Sequence, residues 1–422
     1  MGSFLYAHSR VWNMSLMRPR SARSVRKRTL SCAHSRRERL PNYHDFDKIF
    51  IKFALRKVRF MKIVFVLPEM RGGGSERVVA ALSSEFLNRG YEVAILIFAG
   101  DQVVYDLDPR VEIVRAGVES KGNPILRLKR VNNMRAFYKA NKDCYIFSFC
   151  VMGTVFSVLA TFGMARKMLV SERNDPTRIE HPHIRNWSYR HADRLVFQTY
   201  DMSKCFPKAI SKKGVVIPNP ISTDIPEAYE GERDYRIVNV ARLQKQKNHA
   251  LLIEAFSKFI DMLESDTDVN EIPYSLHIYG EGELRKELEA QIKALKLDDK
   301  VVLHGFTNNA RDEIKNAGMF VLSSDYEGIS NSMIEALAMG VPTISTDCPV
   351  GGSKMYIEDG KSGLLTKVGD ADELAEAIYK LATNPEMTKS FSKESVKIRD
   401  KYSLEKIADE FLKAAGLPIN CN

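Results

Sequence analysis

No two of the six cysteines in this 422-residue chain form a C-x-x-C pair. Cys32, Cys144, Cys150, Cys205, Cys348 and Cys421 are spaced for neither a zinc site nor a disulfide framework, so a reducing, cytoplasmic setting is expected. The first 60 residues lack the apolar core of a secretory signal. They are also poor in acid, holding 3 of the 53 Asp and Glu but 15 of the 63 Lys and Arg. The net charge of +10 therefore sits in that segment, and residues 61–422 are close to neutral. A body built as a polycation for nucleic acid is excluded. With 44% hydrophobic and 27% charged residues, collagen-like, low-complexity and multi-span membrane classes are excluded as well.

Residues 1–60 admit three readings: a transit peptide, a nucleic-acid-binding arm centred on Arg23, Arg26, Lys27 and Arg28, or a non-native extension ahead of a start at Met61. The last is the expectation, because Lys62 and the apolar run 63–67 open the chain as an α/β domain does. Residues 144–165 form the one stretch that needs a membrane test, with 22 residues and no charge. Ser148, Thr154, Ser157 and Thr161 interrupt it, which favours a buried strand at 145–149 and a helix over 154–164, divided by Gly153.

From Met61 short apolar runs alternate with helical patterns, the signature of parallel sheets covered by helices. Strands are expected at 63–67, 92–98, 168–171 and 195–198. Pro218, Pro220 and Pro226 then make a stiff connector. Beyond it the pattern restarts, with strands at 236–240, 275–279, 301–304, 319–323 and 341–346. The expected architecture is α/β: two Rossmann-like doubly wound domains, 61–219 and 220–400, facing each other across a cleft. A tail, 401–422, has no partner in the second domain alone. Ligands bind such sheets at their carboxyl edges.

Three motifs fall on those edges. Arg71-Gly72-Gly73-Gly74-Ser75-Glu76 lies between the first strand and first helix, where glycines admit a ligand and helix N–H groups meet a phosphate. It is neither G-x-G-x-x-G nor a Walker loop, so it indicates neither a dinucleotide nor ATP hydrolysis. Arg242 and Lys247 leave the first strand of the second domain, as fixed cations for a diphosphate. Glu327 and Glu335 bracket Gly328, Ile329, Ser330, Asn331 and Ser332, whose backbone opens a helix and can bind phosphate while the two acids hold separate sets of sugar hydroxyls.

Together these residues resemble a GT-B glycosyltransferase of the large retaining family usually called family 4, over about residues 61–416. The resemblance implies that Arg242 and Lys247 neutralise the donor diphosphate, Glu335 binds the ribose and Glu327 the transferred sugar. Gly73 and Gly74 would let the first domain close on the phosphates. Gly280 (in Gly280-Glu281-Gly282) and Gly305 with Phe306 would lie near the base, and the tail would cross back onto the first domain. Relatives place a sugar-contacting histidine where this chain has Arg173, so the resemblance implies a permanent cation in its place among the catalytic residues, with Glu327, Arg242 and Lys247; the Ser171-Glu172-Arg173-Asn174 form is similar to capsule, exopolysaccharide and lipid-linked oligosaccharide enzymes. Near Gly351–Met355 the family's usual Glu is not evident.

The implied reaction is transfer of a hexose or N-acetylhexosamine from a UDP-sugar to a glycan acceptor, polyprenyl-linked, on the cytoplasmic face of the inner membrane. No metal or other cofactor is required, and no nucleic acid is a partner. Two D-x-D triplets, at 106–108 and 266–268, read as solvated loops. Seven basic residues and no acid between Lys121 and Lys142, interleaved with apolar ones, read as a basic amphipathic helix for an anionic membrane surface. The alternatives are a UDP-N-acetylglucosamine 2-epimerase-type isomerase and a nucleic-acid-binding protein working through its basic arm.

Overall fold

The computed structural model describes residues 61–117, 123–267 and 272–421. The expectations for 1–60, for Lys121 and for Asp268 lie outside these residues. The first sheet contains β1 (Lys62–Leu67), β2 (Glu92–Ile97), β3 (Glu112–Arg115), β4 (Tyr145–Ser148), β5 (Lys167–Ser171), β6 (Arg194–Phe197) and β7 (Gly214–Val216). Its order is β3-β2-β1-β4-β5-β6-β7, parallel throughout. The second contains β8 (Arg236–Val240), β9 (Ser275–Tyr279), β10 (Val301–Gly305), β11 (Met319–Leu322), β12 (Thr343–Thr346) and β13 (Leu364–Thr366). Its order, β10-β9-β8-β11-β12-β13, is also all parallel. Strand order reverses between β1 and β4 in one sheet and between β8 and β11 in the other. The loops after β1, β8 and β11 carry the three motifs, so the doubly wound topology delivers them to the crevices where such sheets bind ligands.

Strands such as β1 are apolar on both faces because both are covered. On one side of the first sheet, the helix Gly74–Asn88 buries Val78, Val79, Leu82 and Phe86, with Phe86 stacked on Phe65 at 6.0 Å. Beside it lies the helix Leu404–Ala415, whose Phe411 packs on Phe149 at 5.9 Å. Arg89, tied to Glu85 and Asp409, fixes that tail helix to the first. On the other side, the helices Pro124–Ala140, Val151–Ala160 and Pro182–Arg190 pack in a row. The two chain crossings between the sheets run together: Ile221 N donates to Tyr402 O at 2.8 Å, and Tyr356 packs on Tyr402 at 4.5 Å.

Two expectations need correction. The charge-free stretch forms β4 and then a helix starting at Val151, not Thr154. Gly153 sits inside its first turn because the Cys150 thiol caps the Gly153 N–H at 3.3 Å. No described helix is long and apolar enough to cross a membrane. The helix Pro124–Ala140 is not a simple amphipath either. Arg130 is buried, with its guanidinium 4.9 Å from the Phe156 ring centre and 5.4 Å from that of Phe98, while Ile125 and Leu128 are exposed.

Candidate active site

The carboxyl edges of the two sheets face each other, and the motif residues meet there. Glu327 follows β11 and is nearly buried. Its Oε1 pairs with Lys247 and accepts from Ser324 Oγ at 2.9 Å; Gln246 Nε2 reaches Oε2 at 3.3 Å. Lys247 is placed by the turn before the helix His249–Ser265. There Asn248, in the left-handed region at φ 45°, accepts from Leu251 N through its side chain and donates to Asp325 at 2.7 Å. His249, fully buried, adds an anchor to Asn239 Oδ1 at 3.1 Å. Burial pushes its imidazole down to about 4, with the nearby Lys247 charge acting in the same direction.

Glu335 lies in the helix Asn331–Ala338, capped by Ser330. Its Oε1 accepts from Arg77 Nη1 at 2.6 Å, from Arg311 Nη2 at 3.0 Å and from Arg311 Nε at 3.1 Å. Its Oε2 has no hydrogen bond among the described residues. A carboxylate fixed through one oxygen keeps the other for hydroxyl donors.

Arg242, by contrast, is exposed and has no ion pair among the described residues. It lies near Glu76 at the start of the helix Gly74–Asn88. Burial pushes the Glu76 carboxyl up; the Gly73 amide and Arg242 oppose this and the Glu69 charge adds to it. Tyr105 donates to Gly73 O at 2.9 Å and Asn331 Nδ2 to Gly74 O at 3.0 Å, so the glycine loop touches both its own domain and the Glu335 helix.

The remaining loops close against these. Gly280 N donates to Gly305 O at 2.8 Å, and Leu243 N to Glu281 O at 3.0 Å. A Cβ on Gly280, at φ 156°, would lie 1.9 Å from Ala241 O, so only glycine permits this approach to the Arg242 turn. Phe306 is exposed beside them. Gly328 sits directly on the first domain, where a Cβ would meet Gln198 Oε1 at 2.2 Å and Arg173 O at 2.5 Å. Arg173 is partly buried, with its guanidinium 5.2 Å from the Phe149 ring centre, and it has no ion pair among the described residues. Burial pushes it down to about 10.

The D-x-D acids have local partners: Asp108 accepts from Arg110 N and Nε, both at 2.9 Å, and Asp266 accepts from Tyr379. Sequence reasoning missed Arg77, Arg311, Gln198 and Asn219. The first two look like ordinary surface cations on helices, and their acid partner is distant in the chain. Asn219 carried one signal, an amide between two prolines in the connector.

Residues 222–397 match the family model described as glycosyl transferases group 1. The N-acetylgalactosamine-N,N'-diacetylbacillosaminyl-diphospho-undecaprenol 4-alpha-N-acetylgalactosaminyltransferase of Campylobacter jejuni is 28% identical over 377 residues, covering 83% of this chain and 98% of that protein. The poly(ribitol-phosphate) alpha-N-acetylglucosaminyltransferase of Staphylococcus aureus is 31% identical over 175 residues, 41% of this chain and 34% of that protein. Among solved structures, Anabaena HepE in complex with UDP and glucose superposes with a TM-score of 0.71 at 17% identity, covering 84% of this chain and 99% of that one. That likeness is one of fold, two Rossmann-like domains across a cleft.

Proposed function

We propose that this chain, a GT-B glycosyltransferase of group 1, moves a hexose or N-acetylhexosamine from a UDP-sugar to a polyprenyl-linked glycan in surface polysaccharide assembly. The observation that carries the reading is the pair of fixed carboxylates at the cleft. Glu327 is held by Lys247, Ser324 and Gln246, and Glu335 by Arg77 and Arg311 with one oxygen to spare. Between them, the capped start of the helix Asn331–Ala338 offers N–H groups and a dipole to a diphosphate. In this scheme Glu335 takes the ribose and Glu327 the transferred sugar. Arg242 and Lys247 meet the diphosphate and its leaving charge, and Gly280, Gly305 and Phe306 border the base. Gly73 and Gly74 close over the phosphates.

Transfer proceeds with retention. The Campylobacter and Staphylococcus relatives are named for alpha linkages. UDP-hexoses carry the sugar in the same configuration, so attack from the face the diphosphate leaves keeps it. Charge developing on the diphosphate is stabilised by Arg242, Lys247 and the helix N-terminus, in a scheme that needs no metal. Epimerase chemistry is not favoured, since the named relatives are transferases.

The acceptor side faces an anionic membrane. The three helices in a row on the first sheet leave Ile125, Leu128, Leu159, Ile184 and Trp187 exposed, and Phe162 is 78% exposed just after the second helix. Arg127, Lys129 and Lys139 are exposed on the first of them. Apolar side chains among cations suit the cytoplasmic face of a bilayer. The test is incubation with labelled UDP-sugars and a membrane lipid extract, followed by the anomeric configuration of the product. Label entering the lipid fraction in an α linkage supports the proposal; UDP-sugar isomerised without UDP release contradicts it.

A further inference from the structure

Asn219 lies between Pro218 and Pro220 in the first crossing between the sheets and is only 2% exposed. A connector asparagine is ordinarily a solvated turn residue, whereas this one uses its whole carboxamide. Its Oδ1 accepts from Arg173 Nη2 and from Gln198 Nε2, both at 2.6 Å, and both donors belong to the first domain. Its Nδ2 donates at 2.7 Å to Asn331 Oδ1, in the second. Its backbone oxygen accepts from Tyr356 Oη at 2.8 Å. Asn331 passes the connection on to Gly74 O.

The Arg173 guanidinium depends on this amide. Among the described residues its one other hydrogen bond to a side chain is to Ser171 Oγ, at 3.4 Å, and its buried Nε has no partner there. A cation beside Phe149 with no ion pair among the described residues takes its direction from Asn219. The amide can hold Arg173 and Asn331 together only when the two domains are closed, because its acceptor and its donor serve opposite sides of the cleft.

We propose that Asn219 is a positioning residue for the transfer step: it fixes the Arg173 guanidinium at the edge of the cleft, where the Arg173 backbone meets the loop at Gly328, and couples that placement, through Asn331, to closure on the glycine loop. The proposal rests on the transferase reading but not on which nucleotide sugar is used. Arg173 would act on the transferred sugar or the developing charge, and Asn219 on Arg173.

The test is a double-mutant cycle on kcat with the nucleotide sugar that the wild type turns over, using Asn219→Ala, Arg173→Ala and both together. A wild-type chain inert with every UDP-sugar counts against the donor proposed above, and the cycle is then run with the nucleotide sugar it does accept. The expected result is a kcat loss of about tenfold or more for Asn219→Ala, with donor KM changed less than about threefold. In the Arg173→Ala background the same substitution should cost less than about twofold. Asn219→Asp, which keeps the acceptor oxygen for Arg173, should recover kcat relative to Asn219→Ala. Additive losses would overturn the proposal, as would equal kcat for the Asp and Ala variants. Where Asn219→Ala fails to fold, Asn219→Asp and Asn219→Ser crossed with Arg173→Lys decide it by the same non-additivity.

Discussion

Arg77 Nη1 lies 2.6 Å from Glu335 Oε1, joining the helix Gly74–Asn88 of one domain to the helix Asn331–Ala338 of the other. Arg77 keeps 40% of its side chain exposed, while Glu335 keeps 5%. A half-solvated pair of this kind contributes about 1 kcal/mol or less to stability. Its consequence is for closure. Arg77→Ala should leave Tm within about 4 °C of the wild type and raise donor KM about three- to tenfold, with kcat changed less. Steady-state kinetics with a thermal melt checks this; a large Tm loss with unchanged KM would show the pair to be structural.

Gly328→Ala tests how closely the loop after β11 seats on the first domain. The new Cβ meets a backbone oxygen, that of Arg173, and a buried amide oxygen, that of Gln198, so the loop must lift. Transfer should fall about a hundredfold or more, as a misplacement of about 1 Å does. The melting transition should persist. Activity within about threefold of wild type would mean that the cleft is more open in solution.

The buried His249 gives a pH dependence of known sign. Its Nε2 donates to Asn239 Oδ1, because the Asn239 amide nitrogen is committed to Val321 O, and its buried Nδ1 has no hydrogen bond among the described residues. The ring is therefore folded in as the neutral form. Its folded value of about 4 lies below the ordinary 6.5, so the unfolded chain binds the proton first. Stability is undiminished above about pH 6.5 and falls by about 3 kcal/mol as the pH drops to about 4. Urea melts from pH 7 to 4 should show that slope, and His249→Gln should flatten it. An unchanged slope in the variant would assign the loss to other groups.

Membrane contact is tested at the exposed aromatics rather than the cations alone. Phe162→Ser with Trp187→Ser should weaken binding to vesicles containing anionic lipid by about tenfold or more, leaving donor turnover in detergent unchanged. Vesicle sedimentation at low and high salt reads this out. Equal binding by the variant would remove this face from the account.

Much of the architecture was legible because it is written in local pattern. β1, β8 and β11 are short, mostly apolar and buried runs, and the motifs follow them. β3, β7 and β13 were missed, being only three or four residues long and, in β7, without a fully buried residue. The helix at Val151 began early because a cysteine cap outweighed the usual meaning of glycine. Arg130 read as part of a basic face for an anionic membrane, yet it packs on two phenylalanines that only the fold brings near. The acids of the site were legible from their spacing. What holds them was not, since Arg77 reaches Glu335 across 258 residues and Asn331 reaches Gly74 across 257.

The most direct measurement is calorimetric titration of wild type, Glu327→Ala and Glu335→Ala with UDP and with the UDP-sugar proposed as donor. If Glu335 holds the ribose and Glu327 the sugar, Glu335→Ala weakens both ligands alike, by about tenfold or more. Glu327→Ala then leaves UDP affinity intact and removes the extra affinity, or the turnover, that the sugar confers. Loss of UDP binding in a folded Glu327→Ala chain, or none in Glu335→Ala, would contradict the assignment of the two carboxylates.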